Sequence, residues 1–130
     1  MNKWKTKDIG DAGEDYAVKY LKKHRYKILS RNYKCKVGEI DIIAEKKGVV
    51  AFVEVKTRHE DPLTLPFEAV DTRKQRKIYL TAMMYIYQNR LSSHYRFDVC
   101  EVYVQKDSLK LLQINYYDNA FIPESEDGYY

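Results

Sequence analysis

Apolar positions recur with two different periods along the chain, and the change of period predicts the order of the elements. At residues 8–24 apolar and small side chains return at helical spacing, which predicts an amphipathic first helix. Residues 26–35 mix β-forming with basic residues and predict a strand that is broken near 30–32. The segment 71–90 opens on an acidic cap and contains no Gly or Pro, so it predicts a long second helix.

Four further runs have the composition of strands. Residues 39–46 and 49–58 are joined by Lys47-Gly48, which predicts a hairpin with a two-residue turn. Residues 95–104 and 109–117 predict a second strand pair. The order helix, strand, hairpin, helix and two strands indicates an α/β fold around one mixed sheet.

The length of 130 residues suits a single domain with one core. We predict one domain over 1–130, with an ordered core at about 8–121, a loop at the proline-containing segment 59–66 and a frayed tail at 122–130. The N-terminus lacks the apolar core of a signal peptide, and no apolar run approaches the roughly 20 residues that span a bilayer. We therefore expect a soluble cytoplasmic protein.

Charge is distributed unevenly along the chain. Residues 1–58 hold 15 Lys/Arg against 8 Asp/Glu, whereas residues 59–130 hold 8 against 11. This asymmetry suits a polyanion such as nucleic acid, and it is equally consistent with a solvated lysine-rich surface. Cys35 and Cys100 stand far apart and the histidines show no ligand spacing, so neither a zinc site nor a disulfide framework is indicated.

The apolar strand FVEVK, residues 52–56, carries two charges. Side chains alternate along a strand, so Glu54 and Lys56 share a face with Phe52. If Lys47-Gly48 is a two-residue turn, the numbers of paired residues sum to 95, and Asp41 lies directly opposite Glu54. Directly opposed residues project on the same side, with Cβ atoms about 4.5 to 5.5 Å apart.

Two carboxylates held this close suggest a metal site. Each raises the pKa of the other unless a cation lies between them, and Mg²⁺ accepts oxygen ligands from one or two carboxylates. A neighbouring lysine could orient or deprotonate a water or stabilise charge on a phosphate. Asp41, Glu54 and Lys56 thus predict a metal-assisted phosphodiester-cleaving site. In the alternative interpretation Glu-x-Lys is a common tripeptide that forms a weak ion pair on an exposed strand.

Two other acidic residues and one basic segment are secondary candidates. Glu14 borders the apolar stripe of the first helix, so it either leans over the sheet edge towards Asp41 or is solvated. Glu39 opens its strand, where a plain edge charge is the expected role. The second helix begins with the basic run 73–77, where the helix dipole also favours phosphate, although such runs are commonly solvated.

Several segments together resemble the YraN family of bacterial proteins. The resemblance covers roughly residues 8–121 and is carried by GEIDIIAEKKGVVAFVEVKTR (38–58), GEDYAVKYL (13–21), RYKILSRNYKCKVGE (25–39), EAVDTRKQRK (68–77), RFDVCEV (96–102) and NAF (119–121). That family is assigned to the PD-(D/E)XK nuclease superfamily and is similar to Holliday junction resolvases and restriction endonucleases. The resemblance implies a restriction-endonuclease-like central sheet flanked by helices.

The resemblance also implies roles for individual residues. Asp41 corresponds to the motif aspartate, Glu54 to the motif acid and Lys56 to the motif lysine, with Glu14 as a helix glutamate that joins the metal ligands. Gln75 resembles a polar helix residue that some superfamily members place beside the lysine. Mg²⁺ or Mn²⁺ is the expected cofactor, and a homodimer is expected by analogy with resolvases. Nucleic acid, DNA rather than RNA, is the expected partner, and its contacts are assigned to Arg58, Arg73, Lys74 and Lys77.

Two functions of different classes remain open at this point. The first is a Mg²⁺-dependent endonuclease, and the second is a nucleic-acid-binding or protein-interaction module that keeps the fold without turnover. A small-molecule hydrolase lacks support, because no nucleophile elbow or Gly-rich loop occurs in the sequence.

Overall fold

The computed structural model describes residues 4–59 and 71–123, and its elements follow the predicted order. They are α1 (Thr6–Lys23), β1 (Lys27–Lys34), β2 (Glu39–Lys46), β3 (Val49–Arg58), α2 (Thr72–Gln88), β4 (His94–Val104) and β5 (Leu111–Phe121). One five-stranded mixed sheet is flanked by two helices, which confirms the α/β prediction and agrees with a restriction-endonuclease-like fold.

The strands lie in the sheet in chain order, from β1 to β5. All neighbours are antiparallel except β3 and β4, which are parallel and are connected through α2. A parallel pair requires such a crossover, because a tight turn can join only antiparallel strands. The predicted loop at 59–66 and the predicted tail at 122–130 fall almost entirely outside the described residues.

The hairpin of β2 and β3 has the predicted turn and register. Lys47 and Gly48 have φ values of 50° and 77°, and positive φ at both positions is what a type I′ turn requires. The pairs run from Lys46 opposite Val49 to Ile42 opposite Val53. The predicted register of the two charged strands is therefore confirmed.

Strand β3 is buried on both faces. Ala51 and Val53 belong to a core cluster beneath α1, while Val50 and Phe52 belong to a second cluster beneath α2. This alternation follows the two-residue period of a strand. A charged side chain on β3 consequently leaves the sheet on a side that one of the helices covers.

Some element boundaries differ from the predicted ones. Helix α1 begins at Thr6, so Asp8 lies in its first turn and accepts a hydrogen bond of 3.2 Å from the backbone N–H of Lys5. Strand β5 runs from Leu111 to Phe121, whereas the sequence predicted 109–117. Leu109 has a φ of 58° and belongs to the preceding turn.

Neither helix in the described part of the chain is long and apolar enough to cross a membrane.

Candidate metal and phosphate site

The sheet divides at the end of the β2–β3 ladder. Pairing between these strands stops at Ile42 opposite Val53. Beyond that point β2 stays with β1, where Ile40 pairs with Tyr33, and β3 stays with β4 as far as Arg58. A fork opens between β2 and β3, and Asp41 and Glu54 are the first residues past the last pair.

The side chain of Asp41 enters this fork. Its Oδ2 accepts a hydrogen bond of 2.8 Å from the backbone N–H of Val55. The pKa of Asp41 is raised to about 7, chiefly by burial and next by the nearby negative charge of Glu54, while the Val55 N–H opposes both effects. Glu54 is itself only 7% exposed and lies within hydrogen-bonding distance of Asp41. Asp41 is half-buried and Glu54 is buried, and the two carboxyl groups lie close together just past the last pair of the ladder.

Lys74 contacts this pair from α2. Its Nζ forms an ion pair with Glu54 Oε2, and the charges of Glu54 and Asp41 both act on the ammonium. Burial lowers the pKa of Lys74, while its contacts with Glu54 and Asp41 raise it, and the net direction is upward. The positive charge that the pair requires is thus supplied by a residue assigned to nucleic acid from the sequence.

Glu14 reaches the same end of the sheet from α1. It is buried, and its Oε1 accepts hydrogen bonds from Arg31 Nε at 2.9 Å and from Asn32 Nδ2 at 3.0 Å. Its negative charge contributes to the raised pKa of Asp41, so the carboxylate lies near the fork. Of the two roles left open by the helical pattern, the structure supports the one in which Glu14 leans over the sheet edge.

A close helix–strand contact positions Glu14. A Cβ added to Gly13 would lie 1.8 Å from Thr57 Oγ1 and 2.7 Å from Thr57 Cβ, so α1 touches β3 through its glycine backbone. Because Glu14 follows Gly13 directly, this contact sets the distance of its carboxylate from the fork. The three carboxylates do not form a closed cage: within residues 4–59 and 71–123 no three His, Cys, Asp or Glu side chains are grouped to hold a metal ion.

Lys56 lies two residues beyond Glu54 and is half-buried. The period of the strand places it on the α2 face with Glu54, and its partner on β4 is Glu101. Lys56 makes no hydrogen bond or ion pair with any residue that the structure describes.

Glu101 is a buried acid that sequence reasoning missed. It is 1% exposed, and its Oε1 accepts long hydrogen bonds from Tyr117 Oη at 3.3 Å and Asn115 Nδ2 at 3.4 Å. Its Oε2 lies 3.8 Å from Arg58 Nε. The available signal was a lone Glu within the apolar run of β4, the same signal that marked Glu54 in β3.

The residues assigned to nucleic acid occupy two different environments. Arg58 is only 17% exposed and lies against Glu101 inside the domain. Arg73 and Lys77 are exposed and, together with Lys74, line a cleft of about 340 Å³ beside Glu39. The cleft therefore joins basic residues of α2 to the start of β2, next to the acidic pair.

Gln75 lies in the first turns of α2 and is half-buried. The helix begins where the sequence predicts, because Asp71 Oδ1 accepts a hydrogen bond of 2.9 Å from the backbone N–H of Lys74. This cap fixes the start of the helix, and with it the side chains of Lys74 and Gln75, relative to the fork.

Comparison with known proteins identifies relatives of this chain. Residues 13–102 match the model of the Uncharacterised protein family UPF0102. The UPF0102 protein of Caldanaerobacter subterraneus subsp. tengcongensis is 47% identical over 122 residues, which cover 93% of this chain and 100% of the relative. The UPF0102 protein of Clostridium acetobutylicum is 49% identical over 119 residues, 89% and 95% of the two chains. A UPF0102 protein of Clostridium botulinum is 50% identical over 99 residues, 75% and 80% of the two chains. The resemblance to the YraN family is confirmed by these matches, and the chain belongs to the family UPF0102.

Proposed function

We propose that this protein is a Mg²⁺- or Mn²⁺-dependent endonuclease that binds nucleic acid and hydrolyses its phosphodiester bonds, with DNA as the preferred substrate. The observation that carries the proposal is the close pair formed by the half-buried Asp41 and the buried Glu54 at the fork between β2 and β3. Folding does not require two carboxyl groups at the edge of a hydrophobic core, since burial of like charges is unfavourable. A pair of this kind is what a site for a divalent cation requires.

The donor set fits Mg²⁺ or Mn²⁺. Both ions take hard oxygen ligands, and Mg²⁺ is commonly held by one or two carboxylates while water and phosphate oxygens complete its coordination. Asp41 and Glu54 would hold the ion, and Glu14, which the structure does not group with them as a third ligand, would contribute its negative charge from α1. When bound, such an ion activates water and neutralises charge that develops on the phosphate.

The remaining residues have roles that follow from their positions. Lys56 shares the face of Glu54 and makes no ion pair with the described residues, and it would orient a water or stabilise the phosphate charge. Gln75 would add a polar contact from α2. Arg73 and Lys77 would bind backbone phosphates along the cleft, while Arg58 would contribute mainly through the exposed part of its side chain.

A cleavage screen tests the catalytic role. Linear, nicked, flapped and branched DNA, together with RNA, would be incubated with wild type, Asp41→Asn and Lys56→Ala in Mg²⁺, Mn²⁺ or chelator. Wild type should cleave only with a divalent ion, Asp41→Asn should lose cleavage, and Lys56→Ala should slow it by about 10² to 10⁴. Asp11→Asn and Lys23→Ala are matched controls, because both residues are exposed on α1 outside the site.

Binding separates the enzyme from the second candidate, a non-catalytic module. The ion pair of Lys74 with Glu54 favours that alternative, because the acidic pair already has a cation. The enzyme and a nucleic-acid-binding module both predict that nucleic acid affinity falls steeply across a salt series, since phosphate contacts release counterions, whereas a protein-interaction module does not. Salt-sensitive binding without divalent-dependent cleavage on any substrate would exclude the enzyme and leave the module. A flat salt response would exclude nucleic acid as the partner of either one.

A further inference from the structure

Lys74 occupies an unusual position for a residue at the start of a basic helix. Its backbone N–H is fixed by the Asp71 cap, and its side chain crosses to the fork, where the ammonium contacts Glu54 Oε2. The side chain remains 46% exposed. One end of Lys74 is thus held by the helix cap, while the other end neutralises a buried carboxylate and stays open to solvent.

The contact of Lys74 uses the oxygen that a metal ion would need. Glu54 Oε2 forms the ion pair with the Lys74 ammonium, and Asp41 Oδ2 already accepts a hydrogen bond from the Val55 N–H. A divalent ion and the ammonium would compete for the same small volume and repel each other strongly at contact distance. Because the Lys74 side chain is half-exposed and flexible, it can leave the pair without disturbing α2.

The other basic residues near the fork do not combine contact with the acidic pair and exposure to solvent. Lys56 makes no ion pair within the described residues, and Arg58 is directed to Glu101. Arg73 and Lys77 are exposed along the cleft. Among these side chains, Lys74 alone combines contact with the acidic pair and a route to solvent.

Building on the proposed function, we propose that Lys74 is the resident counter-ion of the Asp41–Glu54 pair and is exchanged for a divalent cation when the metal binds. In the metal-free protein its ammonium stabilises the two carboxyl groups. When the ion enters, the ammonium moves out to the cleft. Lys74 therefore lowers the affinity of the site for metal, in contrast to a residue whose only role is to bind phosphate.

Metal binding to the full chain without nucleic acid tests the exchange. MnCl₂ and MgCl₂ would be titrated into wild type, Lys74→Met and Lys74→Arg, with calorimetry for the dissociation constant and thermal unfolding for stability. Lys74→Met should bind Mn²⁺ roughly 5- to 150-fold more tightly, the usual range of coupling between two competing ligands. Its metal-free form should melt at a lower temperature than wild type at pH 8, while Lys74→Arg should restore both properties towards wild type.

The control and a measurement on the unmodified chain complete the test. Lys19→Met removes the same charge from an exposed position in the middle of α1, away from the helix end, and should leave both readouts unchanged. In the wild type, nitrogen-detected NMR of lysine ammonium groups should show one slowly exchanging signal that is absent from Lys74→Arg. Addition of Mg²⁺ should remove that signal by exposing the ammonium to water. This result does not depend on whether Lys74→Met folds.

Each outcome decides the proposal. If wild type binds Mn²⁺ and Lys74→Met binds it no more tightly, or if the ammonium signal persists in saturating Mg²⁺, the exchange is refuted while the proposed nuclease function stands. If neither protein responds to divalent ions at millimolar concentration, the exchange and the metal-dependent function are both refuted. Tighter binding by Lys74→Met together with loss of the signal establishes the exchange, whatever substrate the protein acts on.

Discussion

The contact between Gly13 and Thr57 gives a sharp prediction for Gly13→Ala. Replacing an interior helix glycine with alanine ordinarily stabilises the helix by about 1 kcal/mol. Here the new Cβ would lie 2.7 Å from Thr57 Cβ, whereas carbon atoms in contact are separated by about 3.5 to 4.0 Å. Rotation of the Thr57 side chain moves its Oγ1 but not its Cβ, so α1 must retreat from β3 by about 1 Å.

Gly10 provides the matched control. It lies in the same helix, and a Cβ added there has no neighbour within 4 Å. Overpacking costs typically 1–3 kcal/mol, so Gly13→Ala should be less stable than Gly10→Ala by about that amount. At roughly 4 °C per kcal/mol for a domain of this size, the melting temperatures of the two variants should differ by about 4–12 °C.

The assay is thermal and urea unfolding of wild type, both variants and the double variant Gly13→Ala/Thr57→Ala. Thr57→Ala removes the Oγ1 and Cγ2 contacts, so it should restore part of the lost stability. Displacement of α1 should also lengthen the 2.9 Å hydrogen bond between Arg31 and Glu14 and weaken Mn²⁺ binding. Equal melting temperatures for the Gly13→Ala and Gly10→Ala variants would refute the inference that this contact sets the position of the helix.

Three further predictions concern the metal-free protein. The pKa of Asp41 is about 7 in the folded protein, against an ordinary value of 3.8. The free energy of unfolding should therefore fall as the pH rises from about 4 to about 7, by at most about 4 kcal/mol, and should stay low above that range. Asp41→Asn should flatten this profile in urea unfolding with chelator, and an unchanged profile would contradict the assignment. Asp71→Ala should lower the free energy of unfolding by about 1 kcal/mol, because the backbone N–H of Lys74 loses its capping acceptor. Thermal unfolding followed by circular dichroism measures this loss, and Asp71→Ser should largely restore the stability. Asp98→Ala should lower the free energy of unfolding in urea by about 3–5 kcal/mol, since it leaves Arg96 without its buried partner. A loss below about 1 kcal/mol would contradict the role of Asp98 as the stabilising partner of Arg96.

The hairpin could be predicted from sequence because its geometry is local. Lys47-Gly48 is a two-residue turn, and with the turn fixed the pairs from Lys46–Val49 to Ile42–Val53 follow, which leaves Asp41 and Glu54 as the next residues past the last pair. The pairing of Lys74 with Glu54 could not be predicted in this way. It depends on how α2 packs on the sheet, and the spacing of apolar residues gives the buried face of a helix but not its axial shift.

Long-range contacts also explain the misplaced end of β5. The polar residues Asp118 and Asn119 break the alternation of the strand, so the sequence pattern ends the element at 117. In the structure Asn119 has a φ of 51°, and its N–H donates a hydrogen bond of 2.8 Å to Asp98 Oδ1. A buried carboxylate on β4 stabilises the irregularity, and the strand continues beyond it to Phe121.

The order in which Asp41, Glu54 and Lys74 occur along the chain has a consequence for folding kinetics. Asp41 and Glu54 lie on strands joined by two residues, and closure of so short a loop takes microseconds or less. Lys74 lies on α2, and docking of this helix onto the sheet requires closure of a much longer segment and is correspondingly slower. The repulsion between the carboxylates is therefore present in the folding chain before the cation that relieves it. We therefore expect refolding to be faster in mild acid, where protonation of one carboxyl group leaves the pair with a single negative charge, than at neutral pH.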